Sequence, residues 1–133
     1  MTKELWINLP VKNISRSKEF FRAIGFELPD SPGNTDSSAV LKVGTKGIIV
    51  MLFQEEIFKG ITRNGLTDTT TGTEVIFSFD LESRDEVDYL AKKVTDAGGD
   101  VFAPPANVQG WMYGCAFTDL DGHRWNGLYM DKQ

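Results

Sequence analysis

Glu74 has the clearest chemical potential in this sequence. It lies in Thr73–Leu81, an alternating stretch with Val75, Phe77 and Phe79 on one side and Glu74, Ile76 and Ser78 on the other. Desolvation makes a carboxylate hold its proton more tightly, so among apolar neighbours Glu74 could serve as a general base or accept a ligand hydrogen bond. A solvated glutamate at a sheet edge has the same spacing, and both readings stand. His123 is the sole histidine and lies beside Asp119, Asp121 and Gly122. In a turn, those carboxylates serve local backbone hydrogen bonds, and a lone histidine lacks the further donors that a metal needs. Cys115 has no evident base nearby to activate it and reads as a small packed residue.

These residues need elements to place them. Asp121-Gly122 between two apolar runs is a hairpin signal. The strand before it carries Trp111, Tyr113 and Phe117. The strand after it alternates Trp125 and Gly127 against Asn126, Leu128 and Met130, so an amide well inside the sheet faces whatever the sheet encloses. Leu5–Val11 reads as a strand with Trp6 and Asn8 on one face, and Pro10 places it near an edge. Ser15 is the expected N-cap of a helix with a Phe20, Phe21 and Ile24 stripe, ended by Gly25. A short strand over 26–28, a Pro- and Gly-rich loop to Asp36, and a hairpin over 38–53 follow. Gln54–Gly60 reads as a short helix. After a polar connector, Ser83 and Glu86 form a capping box before Val87, Leu90, Ala91 and Val94. Gly98-Gly99 closes that helix, 100–103 is a short strand, and Pro104-Pro105 reads as a break.

At 133 residues with 41% hydrophobic and 25% charged residues, the chain suits one globular domain. A net charge of −5 without a basic stripe argues against nucleic acid as a partner. One cysteine excludes an internal disulfide framework and fits a reducing, cytoplasmic setting. The opening residues hold no apolar run long enough for a signal peptide, and no stretch is long enough to span a membrane.

The halves repeat. Trp6–Arg16 overlays Glu74–Arg84 at a constant offset, and each half reads βαβββ, as an internal duplication does. Module one is placed at about 1–60 and module two at about 73–133, forming one α+β domain with a curved sheet and a cleft. The doubled pattern, the run from Leu9 to Phe21 and the run from Asp119 to Trp125 resemble the vicinal oxygen chelate superfamily of glyoxalases, bleomycin-resistance proteins and extradiol dioxygenases. Met112-Tyr113-Gly114 and Tyr129-Met130-Asp131 resemble a bacterial branch described as predicted lactoylglutathione lyases.

Metal-dependent members of that superfamily hold a divalent ion, which chelates two neighbouring substrate oxygens and acts as a Lewis acid. The resemblance places the four ligand positions on Trp6, Met51, Glu74 and Asn126. Indole offers no lone pair for coordination, and a thioether suits hard cations poorly. The expectation is no metal ligand set and no cofactor. Trp6, Asn8, Met51, Phe53, Glu74, Trp111, Tyr113 and Asn126 are the candidate ligand-binding residues, with Glu74 the catalytic candidate. Each aromatic among them also suits ordinary core packing.

Three readings follow from the resemblance. One is a metal-free binder of a small organic molecule in an aromatic cleft. The second is a lyase or isomerase with Glu74 as base, and the third an interaction domain with a closed cleft. Relatives of this kind commonly pair as homodimers, which is the expected assembly.

Overall fold

The computed structural model describes residues 1–131, and the chain divides into two units, Met1–Asp68 and Thr69 onward. In the first unit, β1 (Trp6–Val11), α1 (Ile14–Ala23), β2 (Ser38–Val43), β3 (Ile48–Gln54) and α2 (Glu55–Thr62) follow in order. The sheet order is β1-β3-β2, with β1 parallel and β2 antiparallel to β3. Asn13, not Ser15, caps α1: its side chain accepts the Arg16 N–H at 3.0 Å. Asparagine caps at least as well as serine, and the cap set two residues earlier leaves Ser15 inside the first turn. Gly25, at φ +103°, ends the helix in the left-handed conformation that glycine adopts freely.

The core of this unit contains Val11, Ile14, Phe20, Phe21, Ala39, Leu41, Val50 and Leu52, all buried. Phe20 and Phe21 meet edge to face at 5.1 Å, and Phe21 stacks on Phe26 at 5.6 Å. The strand expected over 26–28 is a single bridge, Glu27 to Lys42. Pro29 has no N–H to extend a ladder. The helix expected over 54–60 runs to Thr62, where left-handed Arg63 donates its N–H to the Lys59 carbonyl at 2.8 Å.

The second unit holds β4 (Ile76–Asp80), α3 (Arg84–Asp96), β5 (Asp100–Val108), β6 (Met112–Thr118) and β7 (Arg124–Met130). Its sheet order is β4-β7-β6-β5, with β4 parallel to β7. The strands therefore pair as two sheets, of three and four strands, rather than as one continuous ladder. Ser83 caps α3 by accepting the Glu86 N–H at 3.1 Å, while the Glu86 carboxylate turns back to the Glu82 N–H at 3.1 Å. Val87, Leu90 and Val94 bury the helix's apolar stripe.

The break expected at Pro104-Pro105 is absent. β5 continues through both prolines with register shifts on either side of Ala103. It is the edge strand, so a missing N–H need not cost a ladder bond, and bulges absorb the rest.

The order β4-β7-β6-β5 repeats β1-β3-β2 with the Glu27 bridge in the place of β5. The duplication expected from the sequence is therefore present in the topology.

Candidate functional site

Strand alternation gives each sheet one face packed by its helix and one face turned away. In the first unit, Ile7, Leu9, Val50, Leu52, Ala39 and Leu41 share the core face. The other face carries two cross-strand rows of interest. Asn8 aligns with Met51 and Val40, and Pro10 with Phe53 and Ser38. Trp6 lies on the same face beside Ile49 and is 59% exposed. The structure thus brings Trp6, Asn8, Met51 and Phe53 onto one face. The loop at Gly33 lies against it, since a Cβ there would come 2.6 Å from Val40 Cγ2 and 3.4 Å from Met51 Cε. Oδ1 of Asn8 is buried and has no hydrogen-bond partner among the described residues.

In the second unit, a Cβ on Gly127 would come 2.6 Å from Leu90 of α3, which fixes the α3 side of β7. Trp125, Gly127 and Tyr129 face that side. Arg124, Asn126, Leu128 and Met130 alternate onto the other. Asn126 aligns with Ser78 and Ala116, and its Nδ2 donates to Ser78 Oγ at 3.4 Å, a long bond.

The remaining sequence candidates do not join Asn126. Tyr113 pairs with Tyr129, and its hydroxyl donates to Asp88 of α3 at 2.6 Å. The Arg84 guanidinium lies 4.8 Å over its ring. Arg84 also donates to Asn107 and forms an ion pair with Asp131 at 2.9 Å. Tyr113 is therefore committed to the helix face. The Asp88 hydrogen bond, with some burial, raises its phenol above the usual value. Trp111 is 48% exposed in the turn before β6. It lies five residues before Ala116, the partner of Asn126, or roughly 17 Å along a strand. Glu74 is exposed and sits in a bend two residues before β4 begins. The strand expected from Thr73 starts only at Ile76, so no ladder pairing fixes Glu74.

The Asp-Gly hairpin is organised by Asp119. Its carboxylate is 4% exposed and accepts the N–H of Asp121 at 2.9 Å, the N–H of His123 at 3.0 Å and the indole N–H of Trp125 at 3.1 Å. Burial pushes this carboxyl above the usual aspartate range, against the opposing pull of His123 and the three N–H donors. Cys115 is buried with its Sγ 3.9 Å from the Val87 carbonyl, and desolvation pushes its thiol up to about 11. Such a thiol is a packing group rather than a nucleophile.

Arg124 is the residue that the sequence reading passed over. It is half-buried on the face with Asn126, its guanidinium 4.2 Å over the Phe102 ring. Its Nε is buried without a hydrogen-bond partner among the described residues. The available signal was a cation two residues before Asn126 in an alternating strand.

Comparison with known proteins places the chain. Residues 5–126 match the model of the Glyoxalase/Bleomycin resistance protein/Dioxygenase superfamily. The chain belongs to that superfamily. It is 34% identical to a hypothetical protein, SA1046, from S. aureus, over 97% of this chain and 95% of that one, with a TM-score of 0.86. A family enzyme from Burkholderia phytofirmans PsJN shares the fold at 16% identity, covering 94% of this chain and 96% of that one, TM-score 0.79. TioX from Micromonospora sp. ML1 shares it at 23% identity, covering 97% and 99%, TM-score 0.60. No curated protein matches.

Membership raises the question of a divalent ion. The resemblance assigns the superfamily's ligand positions to Trp6, Met51, Glu74 and Asn126. Asn126 has its amide turned to Ser78, and Met51 packs against Val40 and the Gly33 loop. An indole, a thioether, a carboxamide and one solvated carboxylate do not make a ligand set for a hard cation. Among the described residues no three His, Cys, Asp or Glu side chains gather at metal-binding spacing elsewhere. The residues present do not fit the ion. Also among the described residues, no helix is long and apolar enough to cross a membrane.

Proposed function

We propose that this superfamily member has a degenerate metal site and binds a small organic molecule on a sheet face turned away from its helix. The observation that carries the reading is that Trp6 and Met51, which the resemblance assigns to ligand positions, share one face of the first sheet. Both remove coordination chemistry and add apolar contact surface, which suits aromatic or hydrophobic ligands. Trp6, Met51 and Phe53 share a face with Asn8, whose buried and unpartnered Oδ1 can accept one directed hydrogen bond from a guest. The lyase reading with Glu74 as base is not favoured, because Glu74 is exposed and outside the ladder. The homodimer common among such proteins belongs to the same proposal, and light scattering at micromolar concentration checks it.

The test is elemental analysis of protein purified without chelator, then incubated with Mg, Mn, Ni, Zn and Fe(II). Well under one ion per chain is expected for each metal. In parallel, small aromatic compounds should quench the fluorescence of exposed Trp6 in the wild type and not in Trp6→Phe. Near-stoichiometric metal retention would overturn the proposal and make methylglyoxal–glutathione turnover the next assay.

A further inference from the structure

The face of the second unit turned away from α3 is mostly apolar, with Ile76, Ala116, Leu128 and Met130 along it. Arg124 stands among them as a half-buried cation. Its guanidinium carbon lies 4.2 Å from the centre of the Phe102 ring, a cation–π contact. Nε is shut off from solvent, and among the described residues no acceptor replaces the lost water. The acid nearest by register is Asp100, two strands away in the row Arg124–Thr118–Asp100. Lys59 pairs with Glu56, Arg84 with Asp131 and Lys92 with Asp96, and none of these ion pairs reaches Arg124.

A cation partly withdrawn from water without a counter-ion is unfavourable, and one seated against an aromatic ring is placed to receive an incoming anion. Two residues along β7, Asn126 and its partner Ser78 add neutral polar capacity, because their mutual 3.4 Å bond is long. We infer that Arg124 is an anion-binding subsite, and that the molecule bound carries a carboxylate. A carboxylate matches the planar guanidinium edge with two parallel N–H···O bonds. One cation flanked by an amide and a hydroxyl suits a monoanion. A phosphate dianion would call for further positive charge, whereas the row and face here carry Asp100 and Asp80.

This inference deepens the small-molecule reading and rests on it, so the experiment separates the two. Calorimetric titrations of the intact protein compare 1-naphthoate with 1-naphthylmethanol, which share an aromatic body and differ in the anion. Naphthoate is expected to bind about 10- to 100-fold more tightly, the range for a charge-assisted pair. Arg124→Gln should abolish that preference and leave naphthylmethanol binding in place. Equal binding of both probes by the wild type overturns the carboxylate subsite alone, and this comparison needs no variant to fold. A preference that survives in Arg124→Gln also overturns it. Failure of both probes to bind overturns the small-molecule reading together with the inference.

Discussion

Asp119→Asn tests whether the closing hairpin is held by one buried carboxylate. The asparagine has nearly the same shape but only one acceptor oxygen. If that oxygen keeps the Asp121 and His123 N–H groups, the new NH2 faces the Trp125 indole N–H across the 3.1 Å now occupied by a hydrogen bond. Losing a bond to a charged acceptor costs about 1.5–3 kcal/mol. The two backbone bonds also weaken as the acceptor becomes neutral, by roughly half of their strength. Relief from burying a carboxylate, whose proton affinity burial has already raised, offsets part of this. The net destabilisation should be about 2–3 kcal/mol, large against a typical total of about 5–15 kcal/mol. Urea unfolding followed by tryptophan fluorescence should show the midpoint falling by about 1–2 M at an unchanged slope. A double-mutant cycle with Trp125→Phe should give a coupling of about 1–2 kcal/mol. An unchanged midpoint with no coupling would refute the reasoning, since the carboxylate would then be a bystander.

Two further outcomes follow from packing and titration. Gly127→Ala places a methyl 2.6 Å from Leu90 Cδ2 and should cost about 1–3 kcal/mol by overpacking, measurable as a lower urea midpoint. Gly60→Ala, where a Cβ meets nothing within 4 Å, should show no such loss. Because the Cys115 thiol is pushed up to about 11, the folded state holds this proton to higher pH than the unfolded chain. Its contribution to stability is complete below the ordinary cysteine value and is lost as pH rises towards about 11. Wild type should therefore lose stability relative to Cys115→Ala across that alkaline window, and Cys115 should resist disulfide reagents at pH 8 unless the protein is unfolded. Rapid labelling of the native protein would contradict its burial.

Much of this was legible locally. Ser83 and Glu86 marked the start of α3, and the Asp121-Gly122 turn marked the last hairpin, because caps and turns are set by a few adjacent residues. Register is not set so locally. The loop from Asp119 to His123 aligns Thr118 with Arg124, which puts Tyr113 opposite Tyr129 and so against α3. A loop one residue different would send Tyr113 to the face of Asn126. Pro104-Pro105 misled for a related reason. Proline is excluded from interior ladders, and the edge position of β5 appears only once the strand order is known.

The caps also correct the alignment of the two halves, and the correction bears on function. The sequence pattern overlays Trp6 on Glu74, but the caps equate Asn13 with Ser83, which moves Trp6 onto Ile76 and Asn8 onto Ser78. The sheets agree with the caps. Asn8–Met51–Val40 in one unit corresponds row for row to Ser78–Asn126–Ala116 in the other, and Ile49 corresponds to Arg124. The duplicated rows have thus diverged in opposite senses. The first unit fills its row with Met51 and Val40 around one unpaired acceptor, whereas the second carries an amide, a hydroxyl and a cation. Had the pair served only as packing, both rows would be expected to lose polarity, because a buried and unpartnered Arg124 Nε or Asn8 Oδ1 is costly in a core. Retention of an unpaired polar group in each unit, taken by itself, is what ligand binding rather than packing would select.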